Sequence, residues 1–176
     1  MKKSLATVWL DGCSGCHMSF LDIDERLLEV SQHFDIVYSP LVDFKEFPDN
    51  VFITLVEGSV SSYEDIEKVK NIRKKTEYLV SIGDCAITGN IPSMRNTFDL
   101  KEVLNCGYAE HADISGEINF KQIPRLLKKV SPLHEVVRVD FYIPGCPPPA
   151  DAFYNFLISM ANNTRININD FTRFGK

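Results

Sequence analysis

Short apolar runs, each ended by a turn signal and followed by helical periodicity, recur along this chain and constrain its fold more than any other feature. Residues 5–10 are apolar and partly β-branched and stop at Asp11-Gly12, the pattern of a strand followed by a turn. Over 17–34 the apolar positions Phe20, Ile23, Leu27, Leu28 and Val30 recur at helical spacing. Residues 35–39 read as a second strand, closed by Pro40. Residues 51–56 form a continuous apolar run, as in a strand covered on both faces. Ser61-Ser-Tyr-Glu64 matches a capping box and predicts a helix to Lys75.

Residues 78–82 give a fourth strand, halted by Gly83, and 84–96 read as a long functional loop. Helical segments are expected near 100–104 and 120–130. Residues 136–143 read as a fifth strand, ended by Pro144-Gly145. A last helix over 150–161 has Phe153, Phe156, Leu157 and Met160 on one face. The Asn/Thr/Arg-rich residues 162–176 read as a tail or a partner-binding arm. Strands alternating with helices imply right-handed parallel crossovers. The expected fold is therefore α/β: a flavodoxin-like, doubly wound parallel sheet of five strands, forming one domain over 1–176. Ligands of such sheets sit at the carboxyl ends of the strands.

The 176 residues carry 19 Lys+Arg against 24 Asp+Glu, a net charge of −5. An acidic chain has no electrostatic reason to hold nucleic acid or an anionic membrane. The apolar run before Asp11 is too short for a secretory signal or a membrane span, so a cytoplasmic location is expected. In a reducing compartment the five cysteines are not expected to form structural disulfides.

Four of those cysteines fall on turns at the carboxyl ends of expected strands. Cys13 and Cys16 lie in Asp-Gly-Cys-Ser-Gly-Cys after the first, Cys85 in Gly-Asp-Cys after the fourth, and Cys146 in Pro-Gly-Cys-Pro-Pro-Pro after the fifth. Each has a glycine one or two residues before it, which permits close backbone approach to a large inorganic ligand. A thioredoxin-like C-x-x-C pair would leave Cys85 and Cys146 idle. A Cys₄ zinc site usually draws on two close pairs, whereas here one pair is joined by two distant single cysteines. One 4Fe–4S cluster held by Cys13, Cys16, Cys85 and Cys146 accounts for all four, with structural zinc as the rival from a different class. Cys106, near an expected helix end, reads as a buried or half-buried structural residue. His33, His111 and His134 form no metal-ligand spacing.

Trp9-Leu-Asp-Gly-Cys-Ser-Gly-Cys16, Val56-Glu-Gly58, Gly83-Asp-Cys85 and Gly145-Cys-Pro-Pro148 together resemble the small subunit of nickel–iron hydrogenases. Within that family the chain looks like the small subunit of the soluble, bidirectional NAD-reducing (Hox-type) enzymes. The resemblance covers essentially the whole chain. A related quinone-reductase subunit shares Gly-Cys-Pro-Pro but has adjacent cysteines where this chain has C-x-x-C; a quinone- or ferredoxin-linked complex is the alternative within the wider family.

The resemblance implies an electron-transfer subunit of a hydrogen:NAD oxidoreductase, with no complete active site of its own. Its single proximal cluster would link a nickel–iron centre in a large subunit to a flavin and iron–sulfur diaphorase, with FMN and NAD bound by those partners. Further clusters, held in longer small subunits by a C-terminal domain, are not expected. The resemblance also turns Trp9 and the loop around Pro92 and Arg95 toward the large subunit, and makes Glu57 a candidate proton relay. The loop that would cradle a flavin phosphate carries Cys13 and Cys16 instead, which argues against flavin in this chain.

Overall fold

A computed structural model describes residues 2–111 and 123–175. Five strands, β1 (Lys3–Trp9), β2 (Phe34–Tyr38), β3 (Val51–Glu57), β5 (Thr76–Ile82) and β7 (Phe141–Ile143), form one sheet in the order β2-β1-β3-β5-β7. Every neighbouring pair is parallel, so the doubly wound α/β sheet is as expected. Two short strands, β4 (Val60–Ser62) and β6 (Leu126–Ser131), pair antiparallel as a separate ribbon.

Each face of the sheet has its own apolar layer. On one, Leu5, Ile53, Leu55 and Val80 meet Phe20 of α1 (Gly15–Leu21), Val30 of α2 (Leu27–His33), and Phe153, Phe156 and Leu157 of the C-terminal helix α6 (Ala150–Asn162). On the other, Val8, Val56 and Leu79 meet Val69 and Ile72 of α3 (Tyr63–Lys75). Leu5 faces one layer and Val8 the other, as the alternation of side chains along a strand requires. No helix among the described residues is long and apolar enough to cross a membrane.

Several elements depart from the sequence expectation. The stretch 17–34 is not one helix: α1 ends at Leu21, a single 3₁₀ turn covers Asp24–Arg26, and α2 follows. Asp24 has φ 55°, in the left-handed region that a continuous right-handed helix excludes. The cap of α3 is one residue later than expected. Asp65 N–H donates to Ser62 Oγ at 3.1 Å and Ser62 N–H to the Asp65 carboxylate at 2.8 Å, because Ser61 and Ser62 are drawn into β4.

The helix expected over 120–130 does not form over residues 123–130. Residues 120–122 lie outside the described residues, and Leu126–Ser131 is strand β6. Asn96 pins that strand from the side, exchanging hydrogen bonds of 2.9 and 2.7 Å with the Val130 carbonyl and N–H. The strand expected over 136–143 shrinks to Phe141–Ile143, because Val136 and Val137 pack into the second apolar layer instead. The expected loop 84–96 contains a helix, α4 (Gly83–Thr88), and a 3₁₀ helix over Pro92–Thr97. Helix α5 (Leu100–Asn105) stands where a helical segment was expected.

Candidate functional site

Strand register assembles the site. Trp9 aligns with Glu57, Glu57 with Ile82, and Ile82 with Ile143, so β1, β3, β5 and β7 reach one level together. Cys13, Cys85 and Cys146 each follow within the next few residues of their strands.

The Cys13–Cys16 turn is tied to the end of β3. Asp11 and Ser59 exchange backbone hydrogen bonds of 3.1 and 2.8 Å. Gly58, with φ 89°, lets them do so, since a Cβ there would lie 2.8 Å from the Asp11 carbonyl oxygen. Ser14 turns the chain with φ 63° and α1 starts directly after it. Glu57 is 2% exposed and points its carboxylate into that turn. It accepts from the Cys16 N–H at 3.4 Å and the His17 N–H at 3.0 Å, and pairs with His17 Nδ1. His17, which its place beside Cys16 marks in the sequence as a helix-start histidine or a hydrogen-bonding neighbour of the cluster, lies in the first turn of α1 and is buried with Glu57.

Contacts bring the other two cysteine turns against this one. A Cβ at Gly83 would overlap Cys16 Sγ, and one at Gly15 would stand 3.3 Å from Cys13 Sγ and 3.9 Å from Pro147. Ser59 Oγ donates to the Cys85 carbonyl at 2.7 Å, and Asn90 Nδ2 lies 3.6 Å from Cys146 Sγ. Asp84 joins the Cys85 and Cys146 turns: its N–H donates to the Gly145 carbonyl at 2.9 Å, and its Oδ1 accepts from the Gly145 N–H at 2.7 Å. Asp84 had no role in the sequence reading. Its only signal there was a carboxylate wedged between a strand-ending glycine and a cysteine.

All four cysteines are free; Cys16 is buried, Cys85 half-buried, Cys13 and Cys146 exposed. Burial pushes the Cys16 thiol well above its ordinary pKa, with Glu57 and then Cys85, Cys13 and Cys146 adding to the effect. Cys85 is raised for the same first reason, with Cys146 next, while an Ile91 backbone hydrogen bond partly offsets it. An all-sulfur donor set of four suits zinc or an iron–sulfur cluster, so the residues present fit the expected cluster.

The remaining sequence candidates fall elsewhere. Cys106 is exposed, not buried or half-buried as expected, because it starts a wide helical turn on the surface, over Cys106–Glu110. That turn brings His111 beside it, with Nδ1 3.6 Å from Cys106 Sγ and 2.8 Å from the Cys106 carbonyl. Arg95 fastens the Pro92–Thr97 segment to the ribbon, donating to the Leu127 and Ser61 carbonyls at 3.0 and 3.1 Å. Trp9 is 43% exposed and Ile91 and Met94 are each 64% exposed, so Trp9 is not core.

Comparison with known proteins agrees with this architecture. Residues 13–160 match the model of the NADH ubiquinone oxidoreductase 20 kDa subunit family. The chain is 43% identical over 166 residues to the NAD-reducing hydrogenase HoxS subunit delta of Cupriavidus necator, covering 92% of this chain and 79% of that one. It is 36% identical to one subunit of the F420-non-reducing hydrogenase of Methanothermobacter marburgensis, covering 95% of this chain but only 56% of that one. Among solved structures, a chain of the NAD⁺-reducing [NiFe]-hydrogenase in the H₂-reduced state superposes with a TM-score of 0.92 at 38% identity, over 99% of both chains. Family match, sequence identity and superposition converge: the chain belongs to the NADH ubiquinone oxidoreductase 20 kDa subunit family and, within it, to the small subunits of NAD-reducing nickel–iron hydrogenases.

Proposed function

We propose that this chain holds one 4Fe–4S cluster on Cys13, Cys16, Cys85 and Cys146. Through it, electrons pass singly between a nickel–iron centre in a large partner subunit and an iron–sulfur and FMN diaphorase that reduces NAD. The observation that carries the reading is the meeting of three cysteine turns at one end of the parallel sheet. The cluster, when bound, supplies a one-electron carrier. The chain's own residues fix its position and tune it through burial, backbone hydrogen bonds and local charge.

Glu57 holds the Cys13–Cys16 turn and, with His17, is the chain's candidate for moving a proton beside the electron path. Trp9, Ile91 and Met94 are exposed apolar side chains on the segments just before Cys13 and just after Cys85, suited to burial against the large subunit. A cytoplasmic location fits the free thiols, which that compartment keeps reduced.

Anaerobic purification with iron, zinc and acid-labile sulfide analysis tests the reading. Expected are iron and sulfide in equal amounts, lost on changing any one of the four cysteines to Ser and kept in Cys106→Ser. Zinc without sulfide, or a full cluster in Cys146→Ser, would refute it.

A further inference from the structure

Cys146 is exposed and sits on a turn, so something other than its own packing must fix its sulfur. The turn is held from three directions. Ser19 Oγ of α1 donates to the Pro148 carbonyl at 2.5 Å. Asp84 makes its paired hydrogen bonds with Gly145. Thr172 Oγ1, in a residue only 4% exposed, donates to the Pro144 carbonyl at 2.5 Å.

The last two holds are parts of one device. The second carboxylate oxygen of Asp84 accepts from the Gly175 N–H at 2.9 Å. The same buried side chain therefore grips the turn with Oδ1 and the C-terminal segment with Oδ2. That segment is anchored in turn, because Ile166, Ile168 and Phe171 pack on the apolar layer beneath α6. Gly145 leaves no slack, since a Cβ there would lie 2.7 Å from Pro148 Cα and 3.0 Å from Thr172 Oγ1.

We propose that Asp84 is a positioning residue that locks the Cys85 and Cys146 turns together, and that Thr172 and Gly175 complete the lock. The C-terminal segment is then a strap over the cluster site, and it fixes where the Cys146 sulfur stands relative to Cys85. The proposal rests on the cluster reading above. Asp84 acts only through the turns it joins.

The geometry predicts which changes matter. Asp84→Asn keeps the shape but presents an NH₂ to one of two N–H donors, so one hold opens. Thr172→Val removes the hydroxyl at nearly constant volume and leaves Asp84 intact. Outer hydrogen-bond partners of metal ligands are typically worth 10–100-fold in metal retention. Each variant should therefore lose iron to a chelator about tenfold faster or more.

The test uses the full chain purified anaerobically with its large subunit and without the iron–sulfur diaphorase, so that acid-labile sulfide and the iron–sulfur spectrum come from this chain. It measures iron release, the electron paramagnetic resonance spectrum of the reduced cluster, and thermal unfolding. Asp99→Ala, which removes the side-chain cap of helix α5, serves as a control for a hydrogen bond lost away from the cysteine turns. Expected are a shifted or broadened spectrum and faster iron loss in Asp84→Asn and Thr172→Val, with an unchanged spectrum in the control. Spectra and iron release matching wild type in both variants would overturn the lock, even with stability lowered. A wild-type chain without iron and sulfide would instead overturn the cluster reading, and the lock with it.

Discussion

Gly83→Ala is the sharpest single perturbation of the site. Gly83 has φ 77° and its missing Cβ would overlap the Cys16 sulfur. The left-handed backbone alone costs an alanine about 1–2 kcal/mol. The overlap adds to that, because Cys16 is buried at the head of α1 and its turn is pinned by Glu57. A chain of this size loses about 2–4 °C of Tm per kcal/mol, so the backbone cost by itself lowers Tm by about 2–8 °C. The sulfur must also move, so the cluster should bind weakly. Gly107→Ala is the matched control: nothing among the described residues lies within 4 Å of its Cβ position, and alanine there should be neutral or stabilise by up to about 1 kcal/mol. Differential scanning fluorimetry and iron content measure both effects. A Gly83→Ala chain with wild-type Tm and full iron would show that the close packing of Cys16 on this turn is not what holds the site.

Two further outcomes follow from charge and exposure. Burial raises the Cys16 pKa, so the iron-free folded chain binds that proton more tightly than the unfolded chain, whose thiols titrate near about 8.5. The stabilisation is fully present below that pH and is lost as pH rises through it toward the folded value, at up to about 1.4 kcal/mol per pH unit. Urea unfolding of the iron-free chain should weaken on the alkaline side, and Cys16→Ser should flatten the slope; identical slopes would refute the assignment. Ile91→Glu with Met94→Glu should shift stability by no more than about 0.5 kcal/mol per site yet cut recovery of the large subunit about tenfold or more. Undiminished co-purification would move the interface elsewhere.

The strand-and-helix alternation of this chain is legible because apolar runs and helical periods are local properties of the sequence. The cysteines at the strand ends are legible for the same reason: a parallel sheet brings all its strand ends to one side, so residues after β1, β5 and β7 meet regardless of their distance along the chain. Glycine spacing around those cysteines also survives as sequence, and the backbone of Gly83 and Gly145 uses it.

What needed the folded chain was every feature set by a partner distant in sequence. The ribbon of β4 and β6 exists because Leu126–Ser131 finds Val60–Ser62 and the Asn96 side chain, and no local period announces such a pairing. Cys106 reads in the sequence as buried or half-buried, whereas its turn lies on the surface. Glu57 and Asp84 are ordinary carboxylates in the sequence, and both are buried in the fold. Each is accounted for by backbone N–H groups that only the tertiary structure brings within reach: those of Cys16 and His17 for Glu57, those of Gly145 and Gly175 for Asp84. A carboxylate taken from water needs such donors, and sequence alone carries no record of which distant amides will supply them.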